Sequence, residues 1–171
     1  METILHLRKE LIDPPVERAR AGAGVSIRAF IVPDDVEGWL TLRSRATAGL
    51  SPQVREWSRN DFAAQMLAKP WWRNEWTWLA MGPQPGESPI GAVTLGLRMG
   101  AKSTVPIVHW LLVDSTWRRR GVGRMLMSRL ESAAWVAGYR QVELETHANW
   151  KDAVAFYQSM GYAPVRERSP R

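Results

Sequence analysis

Residues 110–131, WLLVDSTWRRRGVGRMLMSRLE, restrict the fold more than any other part of the chain. An apolar run passes through a short turn rich in Arg and Gly straight into an amphipathic stretch. From Gly121 to Gly138, Val122, Met125, Leu126, Leu130, Ala133 and Ala137 fall on one face at helical spacing. Arg124, Ser128, Glu131 and Ser132 lie away from that face. Val105 to Asp114, before the turn, is predicted as a strand, and Gln141 to Thr146, after the helix, as another. A strand–helix–strand unit carries the chain back to its starting end, so these two strands are predicted to run parallel, with the helix packed on their sheet.

The other elements follow from alternation and breakers. Val25, Ile27, Ala29 and Ile31 alternate with Ser26, Arg28 and Phe30 as a strand does. Pro33-Asp34-Asp35 opens a helix carrying Val36, Trp39, Leu40 and Leu42-Arg43, the two acids suiting its positive end, and Gly49-Leu50-Ser51-Pro52 breaks it. Ser58-Arg59-Asn60-Asp61 starts a second helix through Phe62, Met66 and Leu67, stopped before Pro70. Trp76, Trp78 and Ala80 alternate with Thr77, Leu79 and Met81, and Ile90 to Met99 forms the next strand. Asn149 is placed to cap a last helix with Ala153, Phe156, Tyr157 and Met160 on its apolar face, ended by Gly161. Ala163 to Arg166 reads as a final short strand. Three strands joined by short turns make an antiparallel meander. The expected fold class is therefore α/β: a mixed, mostly antiparallel sheet with helices on both faces.

A chain of 171 residues is sized for one domain, and 45% hydrophobic with 23% charged residues is a globular composition. The absence of cysteine excludes a disulfide scaffold, a Cys-ligated zinc site and a thiol nucleophile. His6, His109 and His147 show no metal-ligand spacing, so no metal is expected. No apolar run approaches the roughly 18 residues that a membrane span needs. The segment METILHLRKELIDPP is amphipathic and mixed in charge, unlike a secretion signal, which makes the cytoplasm the default location. The net charge of +6 is concentrated in Arg118, Arg119, Arg120, Arg124 and Arg129, a stretch without an acid. The other 18 basic residues face 17 acidic ones. A nucleic-acid binder spreads its cations along a face, whereas one compact cluster suits a small polyanion.

The junction near residue 121 can hold such an anion. The first N–H groups of a helix lack partners within it, and the dipole makes its start electropositive. Gly121 and Gly123 carry no Cβ, so an anion can approach the main chain closely. A surface turn with solvated arginines is the alternative. Neither a P-loop nor a dinucleotide fingerprint fits: no Gly-Lys-Ser/Thr triplet follows, and position 126, where a third Gly belongs, is Leu.

Two separated motifs carry a resemblance. Leu111-Leu112-Val113, the spacer Asp114 to Trp117, and Arg118-x-x-Gly121-x-Gly123 resemble the acetyl-CoA signature of the GNAT superfamily of N-acetyltransferases. Ala153-Val154-Ala155-Phe156-Tyr157 followed by Gly161-Tyr162 is similar to that family's downstream pattern, and the likeness runs from about residue 25 to 166. It implies a GNAT-like fold, with residues 25–171 as one acyl-CoA N-acyltransferase domain. It implies that amides of Arg118, Arg119, Arg120, Gly121, Val122, Gly123 and Arg124 hold the CoA diphosphate. Leu112 and Val113 would then pair with the pantetheine arm, with the Val113 amide on the thioester oxygen. Tyr157 matches the tyrosine that protonates the departing CoA thiolate in many members; read without the family, it is a core aromatic beside Phe156. Asn149 stands one residue before the position of an asparagine that contacts the CoA arm, where this chain has Trp150. The acceptor amine needs a base. His109, placed on the face of Val113 by period-2 alternation, and Glu145 on the following strand are the two candidates.

The resemblance implies acetyl-CoA as co-substrate and a primary amine of a small molecule or peptide as acceptor, with neither membrane nor nucleic acid as partner. A CoA-binding regulatory module without catalysis, and transfer of a longer acyl group from CoA or a carrier protein, are the alternatives. Trp71, Trp72, Trp76 and Trp78 cluster around the second helix and the following strand, as core packing or as an aromatic acceptor pocket. Members usually end with two strands after the last helix, and this chain has room for one. Residues 1–24 are an N-terminal extension in which Thr3 to Lys9 alternates like a strand. It is expected to fill the vacant sheet position in its own subunit or, by exchange, in that of a homodimer partner.

Overall fold

The elements follow one another as β1 (Ile4–Glu10), β2 (Ser26–Ala29), α1 (Val36–Thr47), α2 (Arg59–Phe62), β3 (Thr77–Met81), β4 (Gly91–Met99), β5 (Thr104–Val113), α3 (Val122–Val136), β6 (Gln141–His147), α4 (Lys151–Ser159) and β7 (Ala163–Pro164). The computed structural model describes residues 3–16, 22 and 24–165. Among these, seven strands form one sheet in the order β2-β3-β4-β5-β6-β1-β7. The meander β2-β3-β4-β5 is antiparallel, and β5 and β6 pair in parallel across the α3 crossover. The architecture is thus the mixed, mostly antiparallel α/β sheet expected. No helix among the described residues is long and apolar enough to cross a membrane.

Two apolar layers cover the sheet. On one face α3 packs Val122, Leu126, Met127 and Leu130 against Val93, Leu95, Val142 and Leu144, joined by Tyr157 of α4. On the other, Trp39 and Leu42 of α1 and Phe62 of α2 pack on Leu79, Ala92 and Leu112. Ser58 caps α2 through a reciprocal pair with Asp61, and the helix runs on as a π turn over Ala63–Leu67.

The N-terminal strand enters its own chain's sheet. β1 lies antiparallel to β6, with Leu7 opposite Leu144, and carries β7 on its other edge. Its alternation explains the placement. Leu7 is fully buried in the α3 layer, while His6 and Arg8 turn to the opposite face. Of the last strand expected over residues 163–166, Ala163–Pro164 are paired, and Arg166 lies outside the described residues.

Two expectations are corrected. Glu131 and Ser128 are buried, although their register puts them off the apolar stripe of α3. The reason is β1 and the chain after α4: Lys9 Nζ donates to Glu131 at 2.7 Å and the Tyr162 hydroxyl donates at 3.0 Å. Asn149 does not cap α4. Trp150 occupies the N-cap position, and no side chain caps that end.

Candidate active site

Between β5 and β6 the ladder holds a single register pair, Ile107 with Glu143. Towards their C-terminal ends no further register pair forms, and the ladder is open there. A parallel sheet that opens this way exposes main-chain groups of β5 to whatever enters the split. Asp114 N–H donates to Ile90 O on the β4 side at 2.9 Å. Backbone alternation therefore turns the neighbouring Val113 N–H away from β4 and towards the split.

The turn after β5 leads into the start of α3. Asp114 accepts from Thr116 N at 3.0 Å and Thr116 Oγ1 at 2.8 Å, fixing the short 3₁₀ turn Ser115–Trp117. Arg119 and Gly121 adopt positive φ, 64° and 85°, on either side of Arg120, and left-handed residues set among others in a turn can bring neighbouring N–H groups to one side. No side chain caps Gly121, and the first turn of α3 holds no acid. Met125 N–H makes the bond to Gly121 O, leaving the amides of Val122, Gly123 and Arg124 as the open donors of the helix start. A Cβ on Gly123 would stand 3.2 Å from the Phe156 ring and 3.7 Å from Val113. The cradle, the end of β5 and α4 therefore meet around that glycine.

The arginine side chains are employed differently from the backbone. Arg118 donates to Ala46 O at 2.7 Å and to Val113 O at 3.3 Å, bracing the junction against the end of α1. Arg120 lies over the Trp117 ring, and Arg124 donates to Ser159 Oγ at 2.9 Å. The side chains of Arg118, Arg120 and Arg124 are thus engaged within the protein, whereas the amides at the helix start have no helical partner.

Tyr157 is buried in the α3 layer, its ring 5.5 Å from Phe156 and 6.0 Å from Tyr162. Burial pushes its phenol above the usual range, so it holds its proton.

His109 requires a correction. Ala92 pairs with Leu112 but Thr94 pairs with His109, so one β4 residue opposes two on β5. This bulge, with Trp110 at φ 51°, flips the alternation. His109 shares the face of Leu112 and the α1 layer, opposite to that of Val113. Its ring packs edge-on against Trp71 at 5.2 Å, and Nε2 is buried without a partner. Burial, helped by Lys69, pushes its pKa down to about 4.

That shift has a measurable consequence. Folding favours the neutral ring, so its contribution to stability is complete above the unfolded value near 6.5 and is lost as pH falls towards 4. The window corresponds to roughly 3 kcal/mol at most. The urea midpoint of His109→Gln should therefore vary less between pH 6.5 and 4 than that of the parent. Equal slopes would mean that the ring is hydrated.

Glu145, the other candidate base, lies on β6 on the same face as His109, two residues beyond Glu143. Its carboxylate is half exposed, with His6 Nδ1 3.3 Å away. Glu143 is buried. Burial alone would raise its pKa, but hydrogen bonds from Arg8 and Arg98 outweigh that and hold it below the carboxylate range. Asn149 lies in the turn between β6 and α4.

Two further side chains, absent from the sequence-based expectations for the site, border these elements. Arg43, in α1, is buried with its guanidinium between the Trp57 and Trp110 rings, 4.4 and 4.3 Å from their centroids, and donates to Arg55 O at 2.9 Å. This stack ties the segment before α2 to the bulge. An arginine inside a helical apolar stripe, with unplaced tryptophans nearby, was the available signal. His6 is the second; its alternation with Leu5 and Leu7 marked the face but not the neighbour.

A sheet split beside an uncapped helix start offers backbone donors of the kind that an extended ligand with an anionic end could use. The family model described as Acetyltransferase (GNAT) family matches residues 44–162, and the chain belongs to that family. It is 28% identical over 176 aligned residues to the mycothiol acetyltransferase of Nocardiopsis dassonvillei, covering 95% of this chain and 52% of that protein. Among solved structures it is similar to a GCN5-related N-acetyltransferase from Sphaerobacter thermophilus, with TM-score 0.75 and 18% identity over 96% of this chain and 49% of that one. An aminoglycoside N-acetyltransferase in complex with CoA superimposes with TM-score 0.65 and 19% identity, over 90% of this chain and 97% of that one. The chain spans about half the length of the first two of these.

Proposed function

We propose that this chain transfers an acetyl group from acetyl-CoA to a primary amine of a small molecule or peptide, by direct attack while both substrates are bound. The observation that carries this reading is the start of α3: three amides without helical partners, no capping side chain, no acid, and a neighbouring split in the sheet. The CoA complex of a protein with the same fold supports the choice of donor.

The diphosphate is held by the amides of Val122, Gly123 and Arg124, and the pantetheine arm pairs with Leu112 and Val113. Asn149 contacts that arm from the β6–α4 turn. The Val113 N–H stabilises negative charge growing on the thioester oxygen, an effect of about 3 kcal/mol for one donor. Glu145 takes the proton of the acceptor ammonium. The amine nitrogen then forms its bond to the acetyl carbon, the carbon–sulfur bond breaks, and the sulfur departs with the electron pair to receive a proton from Tyr157. Glu145 is preferred to His109 because it is open to solvent, whereas the imidazole is buried and made a weak base.

Gly121→Asp tests the cradle. The variant places a carboxylate at the helix start, and CoA binding measured by calorimetry should weaken roughly 10- to 100-fold. Gly121→Asn, which imposes the same backbone cost without charge, should lose much less. Equal affinity for both variants and the parent would remove the cradle. Release of free thiol from acetyl-CoA over a panel of aminoglycosides and peptides with free N-termini identifies the acceptor.

A further inference from the structure

Glu145 lies between Glu143 and His147 on one face of β6. Glu143 takes Arg8 and Arg98, with Arg8 Nε at 2.8 Å, and the His147 ring lies 4.5 Å from that of Trp150. Among the described residues the ion-pair partner of Glu145 is His6, directly opposite on β1, with Nδ1 3.3 Å from Oε1. Both side chains are more than half exposed, so neither is needed to fill the core. A glutamate has three side-chain torsions and, when half exposed, samples many rotamers. A base must be within hydrogen-bond reach of the proton that it removes.

We propose that His6, brought by the N-terminal strand, is a positioning residue for acyl transfer. A small turn of the ring from the 3.3 Å contact aims its Nδ1–H at Oε1 of Glu145, and that bond fixes the carboxylate so that Oε2 faces the acceptor ammonium. The ammonium proton passes to Oε2 and from there to solvent, while His6 keeps its own. The inference rests on Glu145 as the base.

Thiol-release kinetics with the amine found in the panel test it. His6→Ala should lower kcat about tenfold with KM for acetyl-CoA and melting temperature unchanged, and His6→Asn, whose amide nitrogen can donate from the same place, should restore most of the rate. In a Glu145→Gln background, His6→Ala should have no further effect. A second readout needs no acceptor. The side-chain ¹⁵N spectrum of the parent should show the Nδ1–H form of His6, lost in Glu145→Ala, which leaves no acceptor opposite the ring. If Glu145→Gln slows turnover while His6→Ala does not, the base stands and the positioning role is overturned. If Glu145→Gln leaves turnover intact, the base reading itself fails. Equal losses in both His6 variants with a lowered melting temperature, or an unchanged imidazole spectrum, also overturn it.

Discussion

A chain lacking residues 1–12 should lose its cooperative unfolding transition. The deletion removes β1 from between β6 and β7, so it unpairs two strands rather than one edge. It also strips fully buried Leu7 from the α3 layer and takes Lys9, the cation partner of buried Glu131, while Glu143 loses Arg8 and keeps Arg98. Leaving a buried charge uncompensated costs about 3–5 kcal/mol, and truncating a buried leucine about 2–5 kcal/mol. Together these approach the whole stability of a domain, typically about 5–15 kcal/mol. Near-UV circular dichroism and thermal melts read the result, with Leu7→Ala as the milder companion. A deleted chain that melts like the parent would mean that β1 is a dispensable edge.

The second large effect is on chemistry. Tyr157→Phe should reduce kcat about 100-fold while CoA affinity and melting temperature stay close to those of the parent. The phenol is buried in an apolar layer that holds it protonated. A sulfur anion formed in the same dry surroundings is made more basic by the same desolvation, so donor and acceptor shift together. Loss of the hydroxyl removes the donor and leaves a ring of nearly the same shape, which separates the proton from the packing. Unaltered turnover would reduce Tyr157 to a core aromatic.

Much of the fold was legible because it is written in local periodicity. The helix from Gly121, the meander and the Arg/Gly turn each state their conformation within a dozen residues. The β5 bulge does not: nothing in HWLLV marks Trp110 for positive φ, and only pairing with β4 reveals two residues opposite one. That single insertion turned His109 to the other face and into a cage of tryptophans, so a rule correct for regular strands misplaced it. Glu131 illustrates another limit. Its helical position reads as solvent-facing, and its burial depends on Lys9 and Tyr162, which lie far away in sequence. The same applies to Glu145, whose neighbour on β1 is set by sheet order rather than by spacing.

The insertion of β1 also has a kinetic meaning. Arg8 and Glu143, which face each other in the finished sheet, are 135 positions apart along the polypeptide. A ribosome releasing this chain exposes an unpaired ribbon long before the segment that shelters it exists, and closing so wide a loop is slow. During that interval the ribbon is open to strands of other molecules, so misassembly during synthesis should depend on protein concentration and on holding chaperones.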